Sequence, residues 1–215
     1  MSFTIHEADQ GTPEWLAARA GRATGSRAKD ILSAIKTGEA AARRDYRIQL
    51  ICERLTGSPQ ESGFINAEMQ RGTDLEPEAR AAYEALTGNM VRQTGFLTDN
   101  DIMAGCSLDG DIDDFKGIFE AKCPKSATHL NYLRTKDVSA YIPQITHNLF
   151  ITGAEWCDFL SYDDRFPEEL QIFLVRIYAK ELDIPGYSVK LSAFLKEVSE
   201  EEANIRNMAK EARSA

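Results

Sequence analysis

The 215-residue sequence contains no run of about 18 apolar residues, so no membrane-spanning helix is expected. Its first residues, Met1-Ser2-Phe3-Thr4-Ile5-His6-Glu7, lack the basic flank and apolar stretch of a secretory signal, and a cytoplasmic location without a membrane partner is expected. Cysteine is scarce. Cys52, Cys106, Cys123 and Cys157 form no C-x-x-C pair, which argues against zinc, an iron–sulfur cluster or a disulfide framework and leaves them as reduced, mostly buried thiols. Histidine is scarcer still, and His6, His129 and His147 have no metal-ligand spacing. Neither an internal repeat nor a low-complexity segment interrupts the chain.

What remains is ordinary globular composition, 43% hydrophobic and 27% charged, long enough for one sizeable domain, 1–215, and short for two. The net charge of −9 weighs against a nucleic-acid partner, because Lys and Arg dominate that affinity. The sum hides an uneven distribution: cations outnumber anions in residues 1–60, and carboxylates dominate from 61 onward. Carboxylates gathered in mid-chain suit either a divalent cation or a solvated surface.

Thr12-Pro13-Glu14-Trp15 supplies a capping hydroxyl and a proline at the first helical position, predicting a helix that ends near Gly21. A second helix is predicted from Thr24-Gly25-Ser26 through Ile35, and a third, with a basic face, from about 40 to Gly57. The helical stretch 66–86 contains Gly72 and Pro77, which imply a kink or a break. After Gly88 the period shortens to strand-like runs at 90–91, 95–97, 103–108 and 117–123, with the acidic stretch Asp109–Asp114 read as a connecting turn. Helices are predicted at 126–136 and 140–152, strands at 155–162 and 170–177, and a charged helix from about 180 to 212. The core region is thus about 66–178, preceded by helices within 12–57.

The chemistry concentrates at Asp109 and, after ten intervening residues, Glu120-Ala121-Lys122 inside an apolar strand. Alternation sends Glu120 and Lys122 to one face, which Asp109 at the end of a neighbouring strand can also reach. Burying such carboxylates without a cation is costly; Mg²⁺ with oxygen ligands removes the penalty, whereas zinc lacks His or Cys nearby. Taken alone, the spacing also describes a surface hairpin with an exposed salt bridge.

This Asp…Glu-x-Lys spacing resembles the PD-(D/E)xK nuclease superfamily, and the blocks around it narrow the likeness. Residues Gly11–Ser26, with Trp15, Arg19, Gly21, Thr24 and Ser26, resemble the W-x-x-x-R-x-G-x-x-T-[AG]-S opening of the phage lambda exonuclease family, the YqaJ-type viral recombinases. Arg71–Ala79 is similar to that family's G-x-x-x-E helix, Cys106-Ser107-Leu108-Asp109-Gly110 to its C-S-P-D-G turn, and Glu120-Ala121-Lys122-Cys123-Pro124 to its E-x-K-C-P strand. Tyr141–Thr146 resembles its Y-x-x-Q-x-Q helix, and Trp156–Asp163 its late strand. Leu108 stands where the family has proline, Ala121 replaces a bulkier aliphatic residue, and Thr146 replaces the second glutamine.

The resemblance implies an α/β single domain of restriction-endonuclease-like fold, a mixed central sheet flanked by helices. It implies a Mg²⁺-dependent 5′→3′ exonuclease on double-stranded DNA ends that leaves 3′ tails for recombination, with Mn²⁺ as a substitute metal. By the same resemblance, Asp109, Glu120 and the Ala121 carbonyl hold one metal, Glu76 reaches a second, Lys122 holds or deprotonates the attacking water, and Gln144 orients that water or Lys122. Arg19 and Ser26, with Ser107, would form a pocket for a terminal 5′ phosphate. Also implied are a homotrimeric ring whose channel is lined by the amino-terminal helices, a single-strand annealing protein as partner, and the bacterial cytoplasm as location if the chain is phage-encoded. Each residue has a plainer reading: Glu76 as a helix-start carboxylate, Arg19 as a solvated cation, Ser26 as a cap, Gln144 as a polar helix position, Trp15 as core, and Met69 as core in place of a wedge at a duplex end. An endonuclease or helicase-associated nuclease with the same carboxylates, or an inert DNA-end-binding protein, remains the alternative.

Overall fold

A computed structural model describes residues 2–60 and 67–214. The strands β1 (Phe3–His6), β2 (Ala23–Thr24), β3 (Phe96–Asp99), β4 (Ala104–Ser107), β5 (Gly110–Ile112), β6 (Gly117–Lys122), β7 (Trp156–Tyr162) and β8 (Ile172–Tyr178) form two four-stranded mixed sheets. Their orders are β1-β3-β4-β2 and β5-β6-β7-β8. The helices are α1 (Pro13–Arg19), α2 (Ala28–Ile31), α3 (Ala41–Thr56), α4 (Ala67–Thr87), α5 (Ser126–Thr135), α6 (Ile142–Thr152) and α7 (Ile184–Ser214). The expected mixed α/β architecture is therefore present, with the sheet in two parts.

Local chemistry accounts for the element ends. The Thr12 hydroxyl accepts the Trp15 N–H at the start of α1, and Gly57 closes α3 in the left-handed region at φ 66°. The predicted second helix is shorter than expected, a single 3₁₀ turn at Gly25–Arg27 followed by the one-turn α2. α4 runs unbroken through Gly72 and Pro77. Its stripe Leu75, Ala79 and Tyr83, at i, i+4 and i+8, is buried against Ile112, Phe119, Ala121 and Leu160, and this packing outweighs the proline's cost of about 3 kcal/mol.

Two short strands escape sequence patterning. β1 pairs with β3 and β2 with β4, each held by neighbours distant in the chain. The acidic stretch is not all turn. Gly110–Ile112 forms β5 against β6, and the bend follows at Asp113, Asp114 and Phe115, all at positive φ. Asp111 is buried and bonded by Arg92 at 2.8 and 3.1 Å, so this carboxylate serves the sheet and not a metal.

β6 is the strand that positions the site. It pairs in parallel with β7, Glu120 opposite Phe159 and Lys122 opposite Ser161, and α5 and α6 make the crossover between them. Alternation splits its side chains: Ile118 packs in the core under α3, α6 and α7, while Phe119 and Ala121 pack under α4. Glu120 therefore points toward α6.

The basic face of α3 turns inward. Arg43 forms a bidentate pair with Glu197 of α7 at 2.8 and 2.9 Å, Arg47 pairs with Glu39 and Glu201, and Arg54 bonds Ser199. These arginines fasten the long carboxy-terminal helix. Paired in this way, Arg43, Arg47 and Arg54 of α3 are engaged within the chain.

Candidate active site

At the end of β6 two carboxylates, one ammonium and a carbonyl converge. Asp109, between β4 and β5, accepts the Ala121 N–H at 2.7 Å through Oδ2, which ties it across to β6. Lys122 Nζ donates to Glu120 Oε1 at 2.5 Å and to the Ala121 carbonyl at 2.9 Å, and lies 3.6 Å from Asp109 Oδ2. The ammonium thus sits among three oxygens.

Helix α6 supplies two more donors. Gln144 Nε2 donates to Glu120 Oε1 at 2.6 Å, and Asn148 Nδ2 reaches Oε2 at 3.3 Å. Gln144 is accordingly turned to the carboxylate, whereas the resemblance had it facing Lys122 or a water. Glu120 is 1% exposed, and burial pushes its carboxyl up to about 7 against the pull of Lys122. Burial works against the Lys122 ammonium, yet Glu120 and Asp109 raise it above its ordinary value.

Glu76, on α4 beside the buried Leu75, is also pushed up to about 7, first by burial and then by the Asp109 charge. The structure thus brings it toward Asp109 without closing the set. Among the described residues no group of three or more His, Cys, Asp or Glu side chains is arranged to hold a metal by itself. A hard cation at Asp109 and Glu120 would use the Ala121 carbonyl as well. The donor set is all oxygen and already surrounds one cation, the Lys122 ammonium, so these residues fit Mg²⁺ or Mn²⁺.

The expected phosphate residues are partly assembled. The Arg19 guanidinium lies 4.1 Å over the ring of Trp15, and that indole donates to Ser107 Oγ at 3.2 Å. Trp15 is buried, as its plainer reading has it, while joining Arg19 to Ser107. Arg19 also lines a cleft with Arg22, Tyr46, Gln49 and Glu53. The Ser26 hydroxyl is 3.4 Å from that of Thr24, whose N–H donates to the Tyr46 hydroxyl. The side chain of Met69 lies outside what is described.

Two residues next to Gln144 were not anticipated. Asn148 touches Glu120, and His147 is wholly buried between the Gly105 carbonyl at 2.8 Å and the Tyr187 hydroxyl at 2.6 Å. The signal for Asn148 is its place one helical turn after Gln144 in an apolar helix. His129 is likewise structural, bonded to Ser161 and to the Leu170 carbonyl. The four cysteines are free, with Cys106 and Cys157 buried. Among the described residues no helix is long and apolar enough to cross a membrane.

Comparison with known proteins places this geometry. Residues 14–155 match the model of the YqaJ-like viral recombinase domain. The fold is similar to an alkaline exonuclease (LHK-Exo) from Laribacter hongkongensis, at 40% identity and TM-score 0.83 over 94% of this chain and 100% of that one. A structure of LHK-Exo in complex with dAMP superposes with TM-score 0.84 at the same identity and coverage. A phage related exonuclease from Haemophilus somnus 129PT shares the fold, with TM-score 0.69 at 15% identity over 87% of this chain and 96% of that one. No curated protein matches the chain. By the extent of the family match and by its identity to a solved relative over nearly its full length, the chain belongs to the YqaJ-like viral recombinase domain family.

Proposed function

We propose that the chain is a Mg²⁺-dependent exonuclease that degrades one strand of double-stranded DNA from the 5′ end, leaving 3′ tails for recombination. The observation that carries the reading is the convergence of Asp109, Glu120, the Ala121 carbonyl and Lys122 on one strand end. The similarity to an alkaline exonuclease, and to its complex with a mononucleotide of the kind an exonuclease releases, supports it.

Asp109, Glu120 and the Ala121 carbonyl would hold one ion and Glu76 would reach a second. Bound there, such ions would stabilise charge on the attacking and leaving oxygens of a phosphodiester displacement. The chain's own groups do the rest. Lys122, whose ammonium sits among the Glu120, Ala121 and Asp109 oxygens, would hold the attacking water or neutralise charge on the phosphate. Gln144 fixes the Glu120 oxygen that faces the site. Arg19, stacked on the Trp15 ring whose indole bonds Ser107, would bind a terminal 5′ phosphate together with Ser107 and Ser26. The reading extends, on family membership alone, to a homotrimeric ring and a single-strand annealing protein as partner.

Digestion of linear duplex labelled at one end tests this. With Mg²⁺ the 5′ label is expected to leave first as mononucleotide, and chelator should abolish release. Early loss of the 3′ label, cutting of closed circular duplex, or digestion that ignores the chelator would overturn the proposal.

A further inference from the structure

A buried carboxylate acts as a directed ligand only if something sets the plane of its two oxygens, because the terminal torsion of Glu is broad. Glu120 Oε1 is shared by Lys122 and Gln144. Among the described residues the donor to Oε2 is the Asn148 amide. Gln144 and Asn148 are four residues apart on α6, so both project from one helix face and grasp different oxygens of the same group. Asn148 is 1% exposed.

The amide has only one workable orientation. Turned over, its oxygen would face the Glu120 carboxylate, acceptor against acceptor. In the orientation that donates, Oδ1 is buried without a hydrogen-bond partner and points at Gly25. A Cβ at Gly25 would lie 2.3 Å from Oδ1 and 3.3 Å from Cγ. Gly25 lies at φ outside the left-handed region, so contact with Asn148, and not backbone freedom, explains the missing side chain. A buried polar side chain that leaves half of itself unsatisfied to reach a carboxylate is retained for what it does to that carboxylate.

We propose that Asn148 is a positioning residue that fixes the rotation of Glu120, and that Gly25 is bare because any side chain there would push Asn148 off it. This rests on the metal-nuclease reading above and adds a mechanical link from the segment carrying Ser26 to the carboxylate.

The test uses the full chain, titrated with Mn²⁺ alone by calorimetry and then assayed on end-labelled duplex with kcat and KM separated. Asn148→Leu keeps the volume and removes the donor. It is expected to weaken Mn²⁺ binding and to lower kcat by about 10- to 100-fold each, with KM and the melting temperature of the metal-free protein near the parent's. Asn148→Gln, which restores a donor, should recover part of both. Gly25→Ala should reproduce the loss when Asn148 is present and add little to Asn148→Leu. Parent-like Mn²⁺ affinity and kcat in a folded Asn148→Leu, or equal effects of Gly25→Ala in both backgrounds, would overturn the proposal. If Asn148→Leu does not fold, Gly25→Ala with unchanged Mn²⁺ affinity overturns it instead. A parent that neither binds Mn²⁺ nor cleaves would sink the nuclease reading itself, and the positioning role with it.

Discussion

Lowering the pH should cost the fold stability through His147, which stays neutral in place while the unfolded chain takes up a proton. The Gly105 carbonyl can only accept, so Nε2 carries the ring proton and Nδ1 accepts from the Tyr187 hydroxyl; the neutral ring is fully satisfied. Burial lowers its pKa from 6.5 to about 4, while the Gly105 carbonyl and the Asp99 charge pull weakly the other way. Because the folded value is depressed, the unfolded chain binds the extra proton first, and stability falls as pH drops from 6.5 toward 4. The single site contributes a loss of about 2 kcal/mol by pH 5 and about 3 kcal/mol in full. That is a large share of the roughly 5–15 kcal/mol by which domains are stable. Urea unfolding at pH 7.5, 6.5, 5.5 and 5.0 measures it, with His147→Gln as the variant that cannot take up the proton. The parent should lose stability more steeply than the variant below pH 6.5. Equal slopes in parent and variant would refute the assignment; Glu76 and Glu120, whose carboxyls are raised to about 7, gain stability on acidification in both and drop out of the comparison.

Lys122→Ala should bind end-bearing duplex within about threefold of the parent while cleavage falls roughly 10²- to 10⁴-fold, checked by pairing a binding titration with the digestion assay; equal cleavage would remove Lys122 from the site. The parent should digest a 5′-phosphorylated duplex about 10- to 100-fold faster than its 5′-hydroxyl counterpart, and Arg19→Ala should erase most of that ratio, since a hydrogen bond to a charged group contributes about 1.5–3 kcal/mol. Arg176→Leu leaves buried Asp158 with the Tyr83 hydroxyl as its side-chain donor among the described residues, and should cost about 3 kcal/mol in urea unfolding; a loss under about 1 kcal/mol would show the pair to be dispensable.

Where local signals and tertiary packing agree, the elements are readable. α3, α5, α6 and the strands β6, β7 and β8 follow from apolar periodicity and from Gly57 and Gly153 in left-handed caps. Where they conflict, packing wins. Pro77 reads as a break, yet the Leu75–Ala79–Tyr83 stripe holds α4 together. Phe3–His6 and Ala23–Thr24 carry too few residues for a period and become strands only because β3 and β4 offer edges distant in sequence. Gly110-Asp111-Ile112 reads as a turn because of its composition. It is a strand because Arg92 neutralises Asp111 and Ile112 enters the core beneath α4.

The site divides along the same line. Glu120 and Lys122 are two apart on one strand, so their shared face was legible, and Asp109 follows because the short hairpin joining β5 to β6 returns it to the Ala121 N–H. Gln144 was legible as a residue but not as a contact, since nothing in its own helix says which of the groups 24 residues upstream it meets. Asn148 is harder: its meaning lies in Glu120 on one side and in Gly25 on the other, residues from three separate segments. Arg43 and Arg47 show the opposite error. A basic helical face looks like a nucleic-acid surface until the glutamates of α7, some 150 residues later, are seen to cover it. Charge read along the chain counts cations, and only the fold tells which of them still face solvent and a phosphate. For this reason the proposed phosphate contacts fall to Arg19 and Lys122, beside Trp15 and Glu120, and not to the richer arginine content of α3.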